Sequence, residues 1–95
     1  MAIAVEMTFA GATLEQYDQV VEKMGFRPGG PGAEGGLFHW VTAEPGGIRV
    51  VDVWISLEEF QRFAAEKIGP ITRSVGVEGE PEVRTYPVHS YLTAG

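Results

Sequence analysis

Two side chains in the middle of the sequence are of the types that acid–base chemistry requires. His39 lies in the apolar segment 37–41 and Asp52 in the apolar segment 48–54, with a Glu-Pro-Gly-Gly sequence at 44–47 between them. A four-residue hairpin loop at 44–47 places His39 opposite Asp52 on the neighbouring strand. Directly opposed side chains have Cβ atoms about 4.5 to 5.5 Å apart, which allows the carboxylate to orient the imidazole. The spacing therefore predicts a cross-strand His39–Asp52 pair.

This pair has two interpretations. In a catalytic site, Asp52 would fix the tautomer of the imidazole, and His39 would remove a proton from a bound substrate. In a structural role, the two side chains would only satisfy each other's hydrogen bonds within the sheet. Both interpretations depend on the strand register, because a slip of one residue would place the side chains on opposite faces.

The elements that position the pair follow from periodicity. Residues 2–9 alternate as a strand, and a helix is predicted after a Thr13–Gln16 capping box, ending before Gly25. A second helix begins at a Ser56–Glu59 capping box and is interrupted at Gly69-Pro70, with a further turn expected at 71–75. The last extended segment, 83–92, contains a proline, which indicates an edge strand. The predicted order is βαββαβ.

This order predicts an α+β, ferredoxin-like fold, with both helices on one face of an antiparallel sheet, in a single domain over residues 1–95. The face of the hairpin that lacks His39 is also apolar. It carries Phe38, Trp40, Val51 and Val53. A sheet face exposed to water should not have this composition, so we expect a homodimer in which a second copy covers it.

Composition excludes several classes of function. The chain contains no cysteine, only two histidines and no dinucleotide-binding loop, so we expect no metal, flavin or haem cofactor. A net charge of -6 with only seven Lys and Arg disfavours nucleic acid and anionic membranes as partners. The start of the chain, 1–5, lacks the positive charge of a signal peptide, and we expect a soluble, cytoplasmic protein. The glycine-rich segment 28–36 lacks phosphate-loop spacing and is predicted to be either a lid or a plain connector.

Several short segments spread over nearly the whole chain carry a family resemblance. They are Gly36-Leu37-Phe38-His39, Val50-Val51-Asp52-Val53-Trp54 leading into Ser56, Phe60 with Phe63, and Gly69-Pro70. In these segments the chain resembles the dimeric α/β barrel superfamily, in the branch named after antibiotic biosynthesis monooxygenases. The resemblance implies two sheets that form a barrel across a dimer, with a small-molecule cavity between each sheet and its helices. It also implies a choice among cofactor-free oxygenases, lactone isomerases, polyketide-type cyclases, haem-degrading enzymes and proteins without known activity.

Two departures from the superfamily narrow this choice. The haem-degrading members rely on an asparagine, a tryptophan and a helix-borne histidine, whereas this chain has no asparagine and no histidine in either predicted helix. The quinone-forming oxygenases often combine pocket aromatic residues with an asparagine, and only the aromatic residues are present here. Haem degradation is therefore disfavoured, and oxygenation is retained as an alternative.

The sequence thus predicts a cofactor-free enzyme of secondary, polyketide-like metabolism, an acid–base cyclase or isomerase acting on a small apolar metabolite. His39 and Asp52 are the predicted catalytic residues. The predicted substrate-binding residues are Trp54, Tyr17, Phe60, Phe63 and Tyr86. The alternatives are an antibiotic biosynthesis-type monooxygenase and a non-catalytic dimeric ligand-binding or accessory protein. A cavity that reaches His39 would favour an enzyme, and a solidly packed sheet would favour a structural role.

Overall fold

The computed structural model describes residues 1–93, which form one sheet and two helical regions. In chain order the elements are β1 (Ile3–Ala10), α1 (Leu14–Met24), β2 (Gly36–Glu44), β3 (Gly47–Trp54), α2 (Leu57–Phe63), a π-helical turn (Ala64–Ile68), α3 (Gly69–Ser74) and β4 (Glu82–Pro87). The strands pair antiparallel in the order β2-β3-β1-β4. This is the predicted α+β, ferredoxin-like arrangement, which is confirmed.

The core lies between the sheet and the helices. Along β1 every second side chain is buried, and Val5 has no solvent exposure at all. On the helical side, Phe60 and Ile68 are buried in the same cluster, and Tyr17 packs against it from α1. Alternation along a strand sends successive side chains to opposite faces, so both helical regions cover the face that carries Val5.

Helix α1 has the predicted boundaries. Thr13 accepts a hydrogen bond from the backbone N–H of Gln16, and the Gln16 side chain accepts one from the backbone N–H of Thr13. This reciprocal pair satisfies two of the backbone donors that the first turn of a helix leaves free. Gly25 ends the helix with φ of 82°.

The second helical region differs from the prediction, because Gly69-Pro70 does not interrupt it. Ile68 and Gly69 both keep right-handed helical dihedral angles. The backbone N–H of Gly69 donates to the carbonyl of Ala64, five residues earlier, which widens the helix into a π turn. The widened turn precedes Pro70, which has no N–H to donate, so the chain continues helically into α3.

The β2–β3 hairpin has the predicted register. Val41 pairs with Val50 and His39 with Asp52. The ladder extends to Glu44 and Gly47, so the connecting loop has two residues instead of four without a change of register. At the other end of β2 the pairing shifts by one residue around Leu37, beyond the His39 pair.

The helix-free face of the sheet carries large exposed apolar side chains. Phe38 is 56% exposed, Trp40 45% and Tyr86 46%. Strand β4 is an edge strand, as predicted, but it ends at Pro87 and not near Leu92. The reason is that its partner β1 begins at Ile3, which pairs with Pro87, so later residues of the chain have no strand to pair with.

Candidate active site

The predicted pair forms a direct contact. His39 Nδ1 lies 2.5 Å from Asp52 Oδ1, and the two residues are directly opposed in the β2–β3 ladder. Asp52 is only 5% exposed, whereas the His39 side chain is 46% exposed on an edge strand. A buried carboxylate needs hydrogen-bond donors, so Nδ1 carries the proton and Nε2 is the acceptor in the neutral imidazole.

Trp54 holds the other oxygen of the carboxylate. Its indole Nε1 donates to Asp52 Oδ2 over 3.1 Å, and Trp54 is itself 2% exposed. The indole packs against the rings of Phe60 and Phe63, with centroid distances of 5.9 and 5.3 Å. With a donor on each oxygen, the Asp52 side chain cannot rotate freely. The sequence predicted Trp54 as a substrate contact and did not reveal this orienting bond.

Tyr17 completes the constellation from the helical side. Its phenol oxygen lies 2.5 Å from His39 Nε2, and the two rings are nearly parallel, at an interplanar angle of 11°. Burial raises the pKa of Tyr17 above its usual value of 10.0, and the negative charges of Asp52 and Asp18 raise it further. Tyr17 is therefore a neutral phenol at physiological pH and donates its proton to the imidazole nitrogen.

A cavity of about 1160 Å³ opens between the sheet and the helices and reaches this constellation. Its walls are mainly apolar and include Met7, Met24, Phe26 and Val50. Its charged lining residues are Asp18, Glu22 and Arg27 at the helical side, besides Asp52. An apolar cavity with a few convergent polar groups is typical of small-molecule sites.

The predicted substrate-binding residues lie in different places relative to the cavity. Tyr17, Trp54 and Phe63 line the cavity. Phe60 lies beneath Trp54 in the core, 5% exposed, and is not part of the lining. Tyr86 pairs with Ala4, which places it on the helix-free face, and it is not part of the cavity lining, so the structure does not bring it together with the other predicted substrate contacts. In the same register Glu6 lies opposite Arg84, so Tyr86 shares the face of Glu6.

The glycine-rich connector between α1 and β2 forms one wall of the cavity. Residues 26–33 all line it, and most are exposed. Its turn is closed by a hydrogen bond from the backbone N–H of Gly30 to the carbonyl of Arg27. A lid function for this segment stays a prediction.

Two further features concern partners and cofactors. Among residues 1–93, no three His, Asp or Glu side chains are grouped so that they could hold a metal ion. In the same part of the chain, no helix is both long enough and apolar enough to cross a membrane.

Comparison with known proteins gives matches among solved structures only. No protein-family model and no curated protein matches the chain. A conserved protein from Methanosarcina mazei Go1 aligns with a TM-score of 0.62 and 14% identity, over 90% of this chain and 91% of the other.

Two further solved structures carry functional names. SnoaB, a cofactor-independent oxygenase from Streptomyces nogalater, aligns with a TM-score of 0.58 and 16% identity, over 98% of this chain and 97% of the other. ActVA-Orf6, a monooxygenase from Streptomyces coelicolor in complex with nanaomycin D, aligns with a TM-score of 0.52 and 20% identity, over 98% of this chain and 92% of the other. At these identities the likeness establishes the fold. The predicted resemblance to the antibiotic biosynthesis monooxygenase-like branch is thus confirmed at the level of the fold.

Proposed function

We propose that the protein is a cofactor-independent enzyme that oxygenates a flat, apolar small molecule after deprotonating it. The observation that carries this proposal is the His39–Asp52 pair at the wall of an apolar cavity, with the carboxylate fixed by Trp54. A structural pair needs no cavity beside it. An oriented imidazole beside a substrate-sized space, by contrast, is the arrangement that general-base catalysis requires.

The chemistry needs no bound redox group if the substrate is electron-rich. The base removes a proton from an activated CH₂ group, and the resulting carbanion delivers electrons to O₂. The CH₂ group and O₂ become a carbonyl group and water, so the substrate supplies all the electrons. The protein contributes proton transfer, orientation and an apolar environment. None of these contributions needs a cysteine, and the chain has none.

The preference for oxygenation over cyclisation comes from the fold comparison. SnoaB and ActVA-Orf6 are named as an oxygenase and a monooxygenase, and both align along nearly the whole chain. The acid–base cyclase or isomerase remains the second candidate, because the same pair supplies the proton abstraction that those reactions need. The two reactions differ in whether oxygen is consumed.

The charges around the cavity support a neutral substrate. Asp18 and Glu22 line it beside the buried Asp52, and the whole chain has a net charge of -6. Arg27 is the positively charged side chain among the lining residues that the structure describes. An anionic ligand would meet repulsion from the carboxylates, so an uncharged polycyclic metabolite of the polyketide type fits the cavity best.

The experiment measures oxygen uptake with a polycyclic compound that contains an activated CH₂ group, such as an anthrone. We expect uptake above the uncatalysed rate, formation of the carbonyl product, and a loss of about 10² to 10⁴-fold in His39→Gln. His89→Gln is the matched control, because His89 is exposed and does not line the cavity. Turnover that persists without oxygen would instead favour the cyclase or isomerase. Equal rates of oxygen uptake in the wild type and His39→Gln would refute the role of His39 as the base.

A further inference from the structure

One nitrogen of His39 remains to act as a base, and that nitrogen is already occupied. Asp52 holds Nδ1 in its protonated form, while the hydroxyl of Tyr17 lies 2.5 Å from Nε2. A neutral imidazole has a single acceptor nitrogen. A substrate proton therefore has no direct access to His39 unless Tyr17 moves away.

We propose that Tyr17 is the catalytic residue that touches the substrate and that it relays the substrate proton to His39. The inference rests on the proposed function and specifies its base. The Tyr17 oxygen accepts the proton from the substrate as its own proton moves to His39 Nε2. The O–H bond of Tyr17 is broken and re-formed, the substrate becomes an anion, and the imidazolium is paired with Asp52. No further reactant is required.

The geometry resembles that of known triads in which a hydroxyl group gives its proton to an imidazole. In hydroxyl–imidazole–carboxylate triads, the carboxylate fixes the tautomer and the imidazole takes the proton of the hydroxyl group that reacts. Here the three groups come from α1, β2 and β3, and the hydroxyl belongs to Tyr17. Tyr17 and His39 both line the cavity, and the Tyr17 hydroxyl group is the one that contacts Nε2.

The electrostatics support a concerted transfer. Burial and the charges of Asp52 and Asp18 raise the pKa of Tyr17, so a free phenolate is disfavoured. When the oxygen gives up one proton and gains another in the same step, the phenol stays neutral before and after. The positive charge that develops resides on His39, beside the Asp52 carboxylate that stabilises it.

The opposing interpretation is that Tyr17 only blocks the base. In that case its removal would expose Nε2 and raise the rate, whereas in a relay its removal lowers the rate. The sign of the effect of Tyr17→Phe separates the two, and the change deletes a single oxygen while keeping the ring.

A first experiment needs no ligand. Heteronuclear NMR of the imidazole nitrogens reports which nitrogen of His39 carries the proton, with His89→Gln used to assign the signals. We expect a protonated Nδ1 and an acceptor Nε2 whose signal shifts in Tyr17→Phe as its hydrogen bond is lost. A neutral His39 with the proton on Nε2 would overturn the relay, because Tyr17 would then be the acceptor.

A second experiment uses 5-nitrobenzisoxazole, a flat neutral probe in which removal of one C–H proton breaks the N–O bond and releases a coloured phenolate. We expect the wild type to accelerate this ring opening. Tyr17→Phe and His39→Gln should each lose about 10² to 10⁴-fold of the acceleration. The double variant should lose no more than either single variant, since the residues act as one unit. Tyr91→Phe, which removes a hydroxyl outside the cavity lining, is the matched control.

The outcomes separate the relay from the function on which it rests. If Tyr17→Phe is as fast as the wild type or faster while His39→Gln is slow, the relay is overturned and the His39 base stands. If neither variant loses rate, or if the wild type does not accelerate the probe, both the base and the relay are overturned. Circular dichroism of Tyr17→Phe confirms that any loss is measured on folded protein.

Discussion

Asp52 is the residue that holds the other side chains of the site in place. It is buried, and each of its oxygens receives a hydrogen bond, one from His39 and one from Trp54. A satisfied buried carboxylate is stable, and the loss of one donor leaves an acceptor without a partner at a cost of about 1 to 3 kcal/mol. The same charge acts on Tyr17 across the site, which makes its electrostatic effect measurable.

The charge of Asp52 should be visible in the titration of Tyr17. We expect Asp52→Asn to lower the pKa of Tyr17, because it removes one of the two charges that raise it, while burial still holds the value up. The measurement is the near-ultraviolet absorbance of phenolate during alkaline titration, with Tyr17→Phe used to identify the signal. An unchanged or higher pKa of Tyr17 in Asp52→Asn would contradict the expected coupling.

Tyr17 should also make the fold sensitive to alkali. Its pKa is above 10.0 in the folded protein, so above about pH 10 the unfolded chain releases this proton first. The unfolded state then binds fewer protons than the folded one, and the free energy of unfolding falls as the pH rises. Urea unfolding at pH values below and above 10 tests this. We expect the free energy of unfolding to fall less steeply with pH in Tyr17→Phe than in the wild type. An equal dependence on pH in both proteins would refute the raised pKa of Tyr17.

At the scale of the elements, the close pairing of β1 and β3 sets the position of Asp52. Gly47 opens β3, where it pairs with Ala10. A Cβ atom at Gly47 would lie 2.2 Å from the backbone oxygen of Phe9, closer than any real contact of a Cβ atom. The two central strands can therefore come together at this end only because residue 47 has no side chain.

Replacement of this glycine should be costly. We expect Gly47→Ala to lower the free energy of unfolding by about 1 to 3 kcal/mol, the usual range for overpacking, because a backbone atom must move. Gly32→Ala is the matched control, since no atom lies within 4 Å of a Cβ built there and its φ is not positive. Urea unfolding of both variants measures the difference. Equal stability of the two would show that the strands adjust without cost.

At the scale of the whole molecule, the exposed apolar face of the sheet is a candidate interface with a second copy of the chain. Phe38, Trp40 and Tyr86 all lie on the side away from the helices. At the same face, Arg49 makes ion pairs with both Glu6 and Glu44. Covering this face would thus bury apolar area without burying an unpaired arginine, and a second copy of the chain supplies a matching surface.

A homodimer that uses this face should be broken by a charge at its centre. We expect the wild type to sediment as a dimer at micromolar concentration and Trp40→Glu to sediment as a monomer, because a buried unpaired carboxylate is strongly unfavourable. Leu14→Glu is the control, since Leu14 is similarly exposed, at 44%, but belongs to α1. A wild-type monomer at this concentration would refute the dimer.

The local hydrogen-bonding and alternation patterns of the sequence determined much of this protein. The Thr13–Gln16 box and the hairpin register are local: neighbouring residues make the hydrogen bonds, and alternation sets the face of each side chain. His39 opposite Asp52 could therefore be predicted from spacing alone. The same local rules wrongly predicted an interruption of the second helix at Gly69-Pro70, because they do not anticipate a π turn that accommodates a proline.

Contacts between distant elements were decided only by the tertiary structure. Tyr17 meets His39 because α1 packs at one particular angle and depth on the sheet, and no spacing in the sequence encodes that distance. Tyr86 lies outside the pocket because its face is set by pairing with Ala4 of β1, more than eighty residues earlier in the chain. Local patterns fix what neighbouring residues do, whereas the packing of α1 and β4 on the sheet depends on the shape of the whole core.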